Sequence, residues 1–184
     1  MSTKGKELEL KMIYDFLETI NDFLAQGGDV LKFIFFTTFI LWLLILERVL
    51  FFKIRCPELV KKTIESWKAR EDRKSWYAHK IRECEISQVN SELQQNINYI
   101  KTLVALCPLL GLLGTVTGMI AVFDVMALTG TGNARLMASG ISMATIPTMA
   151  GMVTALSGLY FGSLFEGKAK KAKAFIEDEM TPEF

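Results

Sequence analysis

Between Cys107 and Phe165 the chain carries two long apolar segments, joined by a few polar residues, whose interiors hold hydroxyls and almost no charge. The first begins Cys107-Pro108-Leu109-Leu110-Gly111-Leu112-Leu113-Gly114-Thr115-Val116-Thr117-Gly118. The second contains Gly140-Ile141-Ser142-Met143-Ala144-Thr145-Ile146-Pro147-Thr148-Met149-Ala150-Gly151. Hydrocarbon offers no hydrogen bonds, so a chain that places several Thr and Ser at that depth must bury them against helices or along a polar path. The pattern implies a membrane helical hairpin built for close packing around something else.

A length of 184 residues alone suggests one soluble domain. The positive mean hydropathy and three apolar runs overrule that reading. About twenty residues at ~1.5 Å rise cover the ~30 Å hydrocarbon core. A first span at 29–52 meets this length, with an uncharged core from Phe33 to Leu46 and with Lys32 and Glu47-Arg48 at its interfaces. A second at 102–128 and a third at 136–165 exceed it, which implies tilt or projection beyond the bilayer. The expected fold is an all-α membrane protein with three transmembrane helices and long cytoplasmic helical extensions.

Orientation follows from the basic residues, which stay in the cytoplasm. Eleven Lys or Arg stand between Lys53 and Lys101, and Lys168, Lys170, Lys171 and Lys173 follow the last span. The 129–135 link has only Arg135, and the first thirty residues have three lysines against six acids. Residues 53–101 therefore read as a cytoplasmic helical domain and 166–184 as a cytoplasmic tail, with 129–135 an outer loop and 1–28 an outer segment. That outer segment carries Leu10, Ile13, Leu17, Ile20 and Leu24, flanked by Phe16 and Phe23, opposite Glu9, Lys11, Asp15, Glu18 and Asp22. Such an amphipathic helix lies in the headgroup region or packs on its own protein, and Gly27-Gly28 ends it. The first apolar run starts too late for a secretory signal. In the cytoplasmic domain Ile86, Val89, Leu93, Ile97 and Ile100 keep a three-four spacing, which predicts one continuous rod running into the second span. The Lys-, Ala- and Glu-rich stretch Gly167 to Met180 extends the third helix.

Gly111, Gly114 and Gly118 on the second helix, and Ala150, Thr154, Gly158 and Gly162 on the third, form small-residue faces. They serve packing within the hairpin and, because three spans make a thin bundle, homo-oligomerisation. Pro147 removes an amide donor and leaves the Met143 carbonyl without it. Ser139, Ser142, Thr145 and Thr148 surround this kink and either satisfy local backbone or wet a polar path with Thr115 and Thr117. No ionisable residue occupies the middle of any span, and Asp124 lies only four residues from the outer end of the second. Proton carriers need an ionisable group near the midplane, so a titrating carboxylate here should belong to a second protein.

Other chemistry is not indicated. Cys56, Cys84 and Cys107 form no metal or redox spacing, and His79 stands alone on a charged stretch. The glycine-rich 111–118 segment lacks the Lys-Ser/Thr of a nucleotide loop. No enzyme activity, cofactor, metal or nucleic-acid partner is expected.

The pattern Pro-x-x-Gly-Leu-x-Gly-Thr-Val-x-Gly at Pro108 to Gly118 resembles the signature of the ExbB/TolQ/MotA proton-channel family, as does the Gly-Ile…Ala-Thr…Thr-x-x-Gly segment at Gly140 to Gly151. The likeness extends to Leu46-Glu47-Arg48 at the end of the first span and to the large cytoplasmic insertion. Three spans are similar to the ExbB and TolQ types rather than to four-span flagellar stators. Gly-Thr-Gly-Asn-Ala-Arg at Gly130 to Arg135 resembles the TonB-linked ExbB type, with the TolQ type, which serves outer-membrane integrity, left open.

The resemblance implies a pentamer in the bacterial inner membrane, with its outer segments in the periplasm. A central pore would hold single-span ExbD-type helices whose Asp carries the proton. The complex would use the proton-motive force to energise a TonB-type protein for transport across the outer membrane. The family's pore-lining threonines fall on Thr115 and Thr148, beside Ser142 and Thr145 of the hydroxyl path. Many members carry Glu where this chain has Met143. Two other readings compete: a non-conducting membrane scaffold, and a self-sufficient channel, for which hydroxyls alone give little charge selectivity.

Overall fold

A computed structural model describes residues 11–181, apart from 13, 16, 17, 22, 25, 26, 74 and 130–133. In lipid an apolar segment must pair its own amides, which a helix does locally. Helix α1, Gly28–Leu50, opens on Gly28 at φ 69°, a left-handed conformation that costs glycine little. Asp29 in its first turn and Arg48 in its last oppose the helix dipole. A π-helical turn, Phe51–Arg55, leads into α2, Cys56–Lys68. Ser75 caps α3, Trp76–Gln94, its Oγ accepting from the Ala78 amide at 3.2 Å. Helices α4, Ile97–Thr129, and α5, Ala134–Glu179, complete the chain and continue through Pro108 and Pro147 respectively.

The fold is all-α, with no strand among the described residues. The stretches Gly28–Lys68, Trp76–Leu128 and Met137–Glu179 are each long and apolar enough to cross a membrane. In their most apolar windows only 22%, 28% and 28% of residues are buried. Lipid or further protein must cover the rest, since apolar surface on this scale is not left in water.

The stripe from Ile86 to Ile100 is buried at every one of its five positions, yet it does not form a single rod. Helix α3 ends at Gln94, and Asn96 takes φ 62° before α4 starts. Asn enters the left-handed region more readily than other residues with a side chain. Its Nδ2 also donates to Glu47 Oε2 at 3.1 Å, which holds the break in place. Apolar spacing records which face is buried, and the axis is free to bend beneath it. In the amphipathic segment, Leu10, Ile13, Phe16, Leu17, Glu9 and Asp22 lie outside the described residues, as do Gly130 to Asn133 of the 129–135 link. Its described residues are helical up to Leu24, with Phe23 exposed.

The chain divides into two compact units, residues 1–39 with 105–155 and residues 40–104 with 156–184. The second unit buries Trp67, Leu93, Phe165, Ile176 and Met180. Phe52 stacks on Phe165, and Trp42 meets Phe161 edge-on, both at 5.8 Å between centroids. Arg48 is 1% exposed. Its Nε donates to Glu47 Oε2 at 3.0 Å, its Nη1 to the Glu92 carbonyl at 3.3 Å, and its guanidinium lies 4.6 Å from the Phe51 ring centre. The guanidinium is buried while Glu47 stays partly exposed, and these three contacts together tie the end of α1 to α3 and the π-helical turn.

Just past the third span Lys101 Nζ donates to Glu166 Oε2 at 2.7 Å, and Lys170 lies 3.2 Å from Oε1. The hydrogen bond from Lys101, then that from Lys170, hold the Glu166 carboxyl below the ordinary carboxylate range. The C-terminal turn of α5 is held by α2 and α3. Arg82 donates to the Met180 and Glu177 carbonyls, the latter at 2.9 Å, and Lys68 pairs with Glu179 at 2.7 Å. The two bonds from Arg82 satisfy carbonyls that a helix end leaves open.

Arg82→Met keeps the length of the side chain and removes both donors. Hydrogen exchange should show residues 176–180 losing about 1–3 kcal/mol of protection, with 105–125 unchanged. Unaltered protection at the C-terminal turn would refute the clasp.

Candidate functional site

The first unit is built on close backbone approach between α4 and α5. A Cβ on Gly111 would stand 3.0 Å from the Thr148 Cα and 3.2 Å from the Pro147 carbonyl oxygen. On Gly114 it would stand 2.5 Å from the Pro147 Cβ, on Gly118 2.6 Å from the Ala144 backbone, and on Gly151 2.5 Å from the Cys107 carbonyl oxygen. Most of these neighbours are backbone atoms, which cannot turn aside as a flexible side chain would. Pro147 is fully buried, its ring filling the hollow that Gly114 leaves.

Helix α1 meets this hairpin from one side. Val30 lies against Gly114, Met143 against Gly28, and Thr38 and Thr154 share a hydrogen bond of 3.1 Å. At about 100° per residue, Thr115 flanks the α4 seam on the side opposite Gly114, and Thr148 flanks the α5 seam on the side opposite Thr154. The two threonines therefore share the side of the seam turned away from α1. Thr148 spans that seam, its hydroxyl donating to the Gly111 carbonyl at 3.2 Å with the Ala144 carbonyl 3.4 Å away.

The hydroxyls on this face have committed protons. Thr115 donates to the Leu112 carbonyl at 2.7 Å and Thr145 to the Ile141 carbonyl at 2.8 Å. A carbonyl cannot donate, so each hydroxyl gives its proton to the backbone and presents lone pairs outward. Such a face accepts hydrogen bonds but holds no proton of its own.

The other residues singled out by the sequence are distributed around this geometry. Thr145 is exposed, farther round the same side, while Ser142 is exposed on the face opposite the seam. Thr117 turns toward the α1 side and donates to the Leu113 and Gly114 carbonyls at 3.1 Å. Asp124 is exposed. In the second unit Gly158 lies against Val104 and Leu41, and Gly162 makes only ordinary contact with Ile100. Ala150 is half-buried, and the small residue pressed against α4 is its neighbour Gly151. Gly151 was readable as the residue one helical turn beyond Pro147. The Thr38–Thr154 pair links residues 116 apart, and no local spacing signals it. Among the described residues no group of His, Cys, Asp or Glu is arranged to hold a metal.

Residues 55–178 match the MotA/TolQ/ExbB proton channel family. Biopolymer transport protein ExbB-like 1 of Synechocystis sp. is 43% identical over 72 residues, covering 38% of this chain and 28% of that protein. ExbB-like 3 of the same organism is 36% identical over 81 residues, covering 43% and 39%. Biopolymer transport protein ExbB of Salmonella typhimurium is 30% identical over 93 residues, covering 50% and 38%. The matched segment thus spans well under half the length of these relatives.

Two glycine substitutions separate close packing from mere helix composition. Gly118→Val, which drives a side chain into the Ala144 backbone, should destabilise the protein by at least about 1–3 kcal/mol in detergent unfolding. Gly167→Ala, with nothing within 4 Å of the new Cβ, should stabilise by about 0.5–1 kcal/mol. Equal effects of the two would contradict the seam.

Proposed function

The chain belongs to the MotA/TolQ/ExbB proton channel family, and we propose that it is an ExbB-type energy-coupling subunit of the bacterial inner membrane. Several copies, five by the family resemblance, enclose a lumen lined by the face that carries Thr115 and Thr148. An ExbD-type single-span partner brings the membrane carboxylate into that lumen. Proton passage moves the two components against each other and energises a TonB-type protein for transport across the outer membrane. Residues 53–101 and the tail face the cytoplasm, and the N-terminus and the 129–135 link face the periplasm. No chemistry is performed on a substrate.

The observation that carries this reading is a wall of hydroxyls whose protons are spent on backbone carbonyls. A protonated carboxyl is a donor, and such a wall accepts from it. An ionised carboxylate is acceptor-only and finds no free donor there. The wall therefore favours the neutral acid and disfavours the anion, so each change of protonation alters where the partner helix rests. Met143 supplies no titratable group in place of the Glu of many members, and it packs beside Gly28 on the α1 side. The proton-binding role then falls wholly on the partner. The names of the relatives favour the ExbB type over the TolQ type.

Thr148→Val removes the outward lone pairs at nearly constant volume. At equal protein levels it should lower proton-motive-force-dependent uptake by about tenfold or more, while Thr148→Ser retains most of it. Full activity of the valine variant would remove Thr148 from the mechanism.

A further inference from the structure

We propose that a cavity of about 560 Å³ at the end of α1 binds the headgroup of a zwitterionic phospholipid of the phosphatidylethanolamine class. The site rests on the membrane-spanning reading of α1; it depends neither on the pore nor on which side of the membrane is cytoplasmic. Its walls come from the end of α1, the π-helical turn, α2 and the end of α3, all within the second unit. A π-helical turn rotates the residues beyond it, and such turns are frequent at functional sites. Here it brings Phe51 and Arg55 to the cavity wall, where Phe51 lies against the buried Arg48 guanidinium.

Four exposed charged residues, Arg55, Glu58, Lys62 and Glu92, line this cavity. Arg55 and Glu58 are three residues apart, and Glu58 and Lys62 four, which is the spacing at which opposite charges pair along a helix. Among the described residues neither pair closes, and the Glu92 carboxylate has no ion pair, whereas Glu47 and Arg48 on the same wall are paired with each other. Two cations and two anions without an ion pair among the described residues thus line one volume.

A phosphodiester accepts from Arg55 and Lys62, and a primary ammonium with three N–H donors gives to Glu58 and Glu92. An anionic headgroup would satisfy the cations but confront two carboxylates. A bare cation would do the reverse. The volume falls in the range of small-molecule sites.

The ligand is a lipid rather than a soluble zwitterion because an apolar track adjoins the cavity. Leu43, Leu46, Leu50 and Ile54 are 54%, 59%, 56% and 62% exposed, on the neighbouring face of α1 and the π-helical turn. Acyl chains laid along them keep the headgroup at the mouth of the cavity.

The test uses the full chain, with whatever subunits co-purify, delipidated in detergent. Palmitoyl-oleoyl phosphatidylethanolamine, phosphatidylglycerol and phosphatidylcholine are titrated separately, alongside glycerophosphoethanolamine, which has the headgroup without the chains. Native mass spectrometry and melting temperature are the readouts. Phosphatidylethanolamine should bind about tenfold more tightly than the other two lipids and raise the melting temperature, while glycerophosphoethanolamine does neither at the same concentration.

Joint Arg55→Gln and Lys62→Gln substitution should weaken phosphatidylethanolamine about tenfold or more. Joint Glu58→Gln and Glu92→Gln substitution should reverse the preference toward phosphatidylglycerol, a gain that a misfolded protein would not show. Equal or tighter binding of phosphatidylglycerol or phosphatidylcholine to the unaltered protein overturns the proposal. So does phosphatidylethanolamine binding that neither double variant changes. Binding of glycerophosphoethanolamine as tight as the lipid overturns the membrane source. Because binding is read directly, this result is independent of uptake measured with Thr148→Val.

Discussion

Backbone contact between α4 and α5 is the constraint on which the candidate site depends. Gly111, Gly118 and Gly151 leave no side chain between the helices, so the distance between them is set by main-chain atoms. Pro147 then acts as a wedge seated on Gly114 rather than as a simple breaker. Its missing amide falls where the neighbouring helix comes closest, and α5 continues through it. The closeness of the seam lets a threonine on one helix reach a glycine carbonyl on the other. A separation larger by one methyl group would break that bond and leave the Thr148 hydroxyl only the Ala144 carbonyl of its own helix.

From this follows a division of labour by position around the seam. On one side α1 closes the hairpin through Val30, Met143 and the Thr38–Thr154 hydrogen bond. On the other, the threonine hydroxyls have given their protons to backbone carbonyls. Most of the apolar surface of each span remains uncovered in the single chain. In a membrane, association between helices is driven by packing and polar satisfaction rather than by water, and small-residue and hydroxyl faces are where it occurs. Charged residues are kept to the ends of the spans, where Arg48, Lys101 and Glu166 are all paired.

Much of this was legible in the sequence. The three apolar helices followed from length and hydropathy, because a membrane leaves the backbone few alternatives. The family followed from Pro108 to Gly118 and from Gly140 to Gly151. What was not legible depended on pairings between distant residues. Gly114 and Pro147 each read as a feature of its own helix, and only the fold shows that one fills the other. Thr115 and Thr117 look equivalent in sequence but emerge on different sides of α4, since two residues turn a helix by about 200°. The bend at Asn96 was hidden because the buried stripe runs through it unbroken. Arg48 read as an interfacial charge, and only the fold shows that it is buried in contact with Glu47, Glu92 and Phe51.

The central claim concerns what the shared threonine face looks at in the assembled complex. Cryo-electron microscopy of the complex, purified from membranes with its co-expressed partners, addresses this directly. The account predicts copies of this chain around a lumen, with Thr115 and Thr148 turned inward toward a helix of a different, acid-bearing protein. Threonines turned outward to lipid, around a centre holding no other protein, would contradict it.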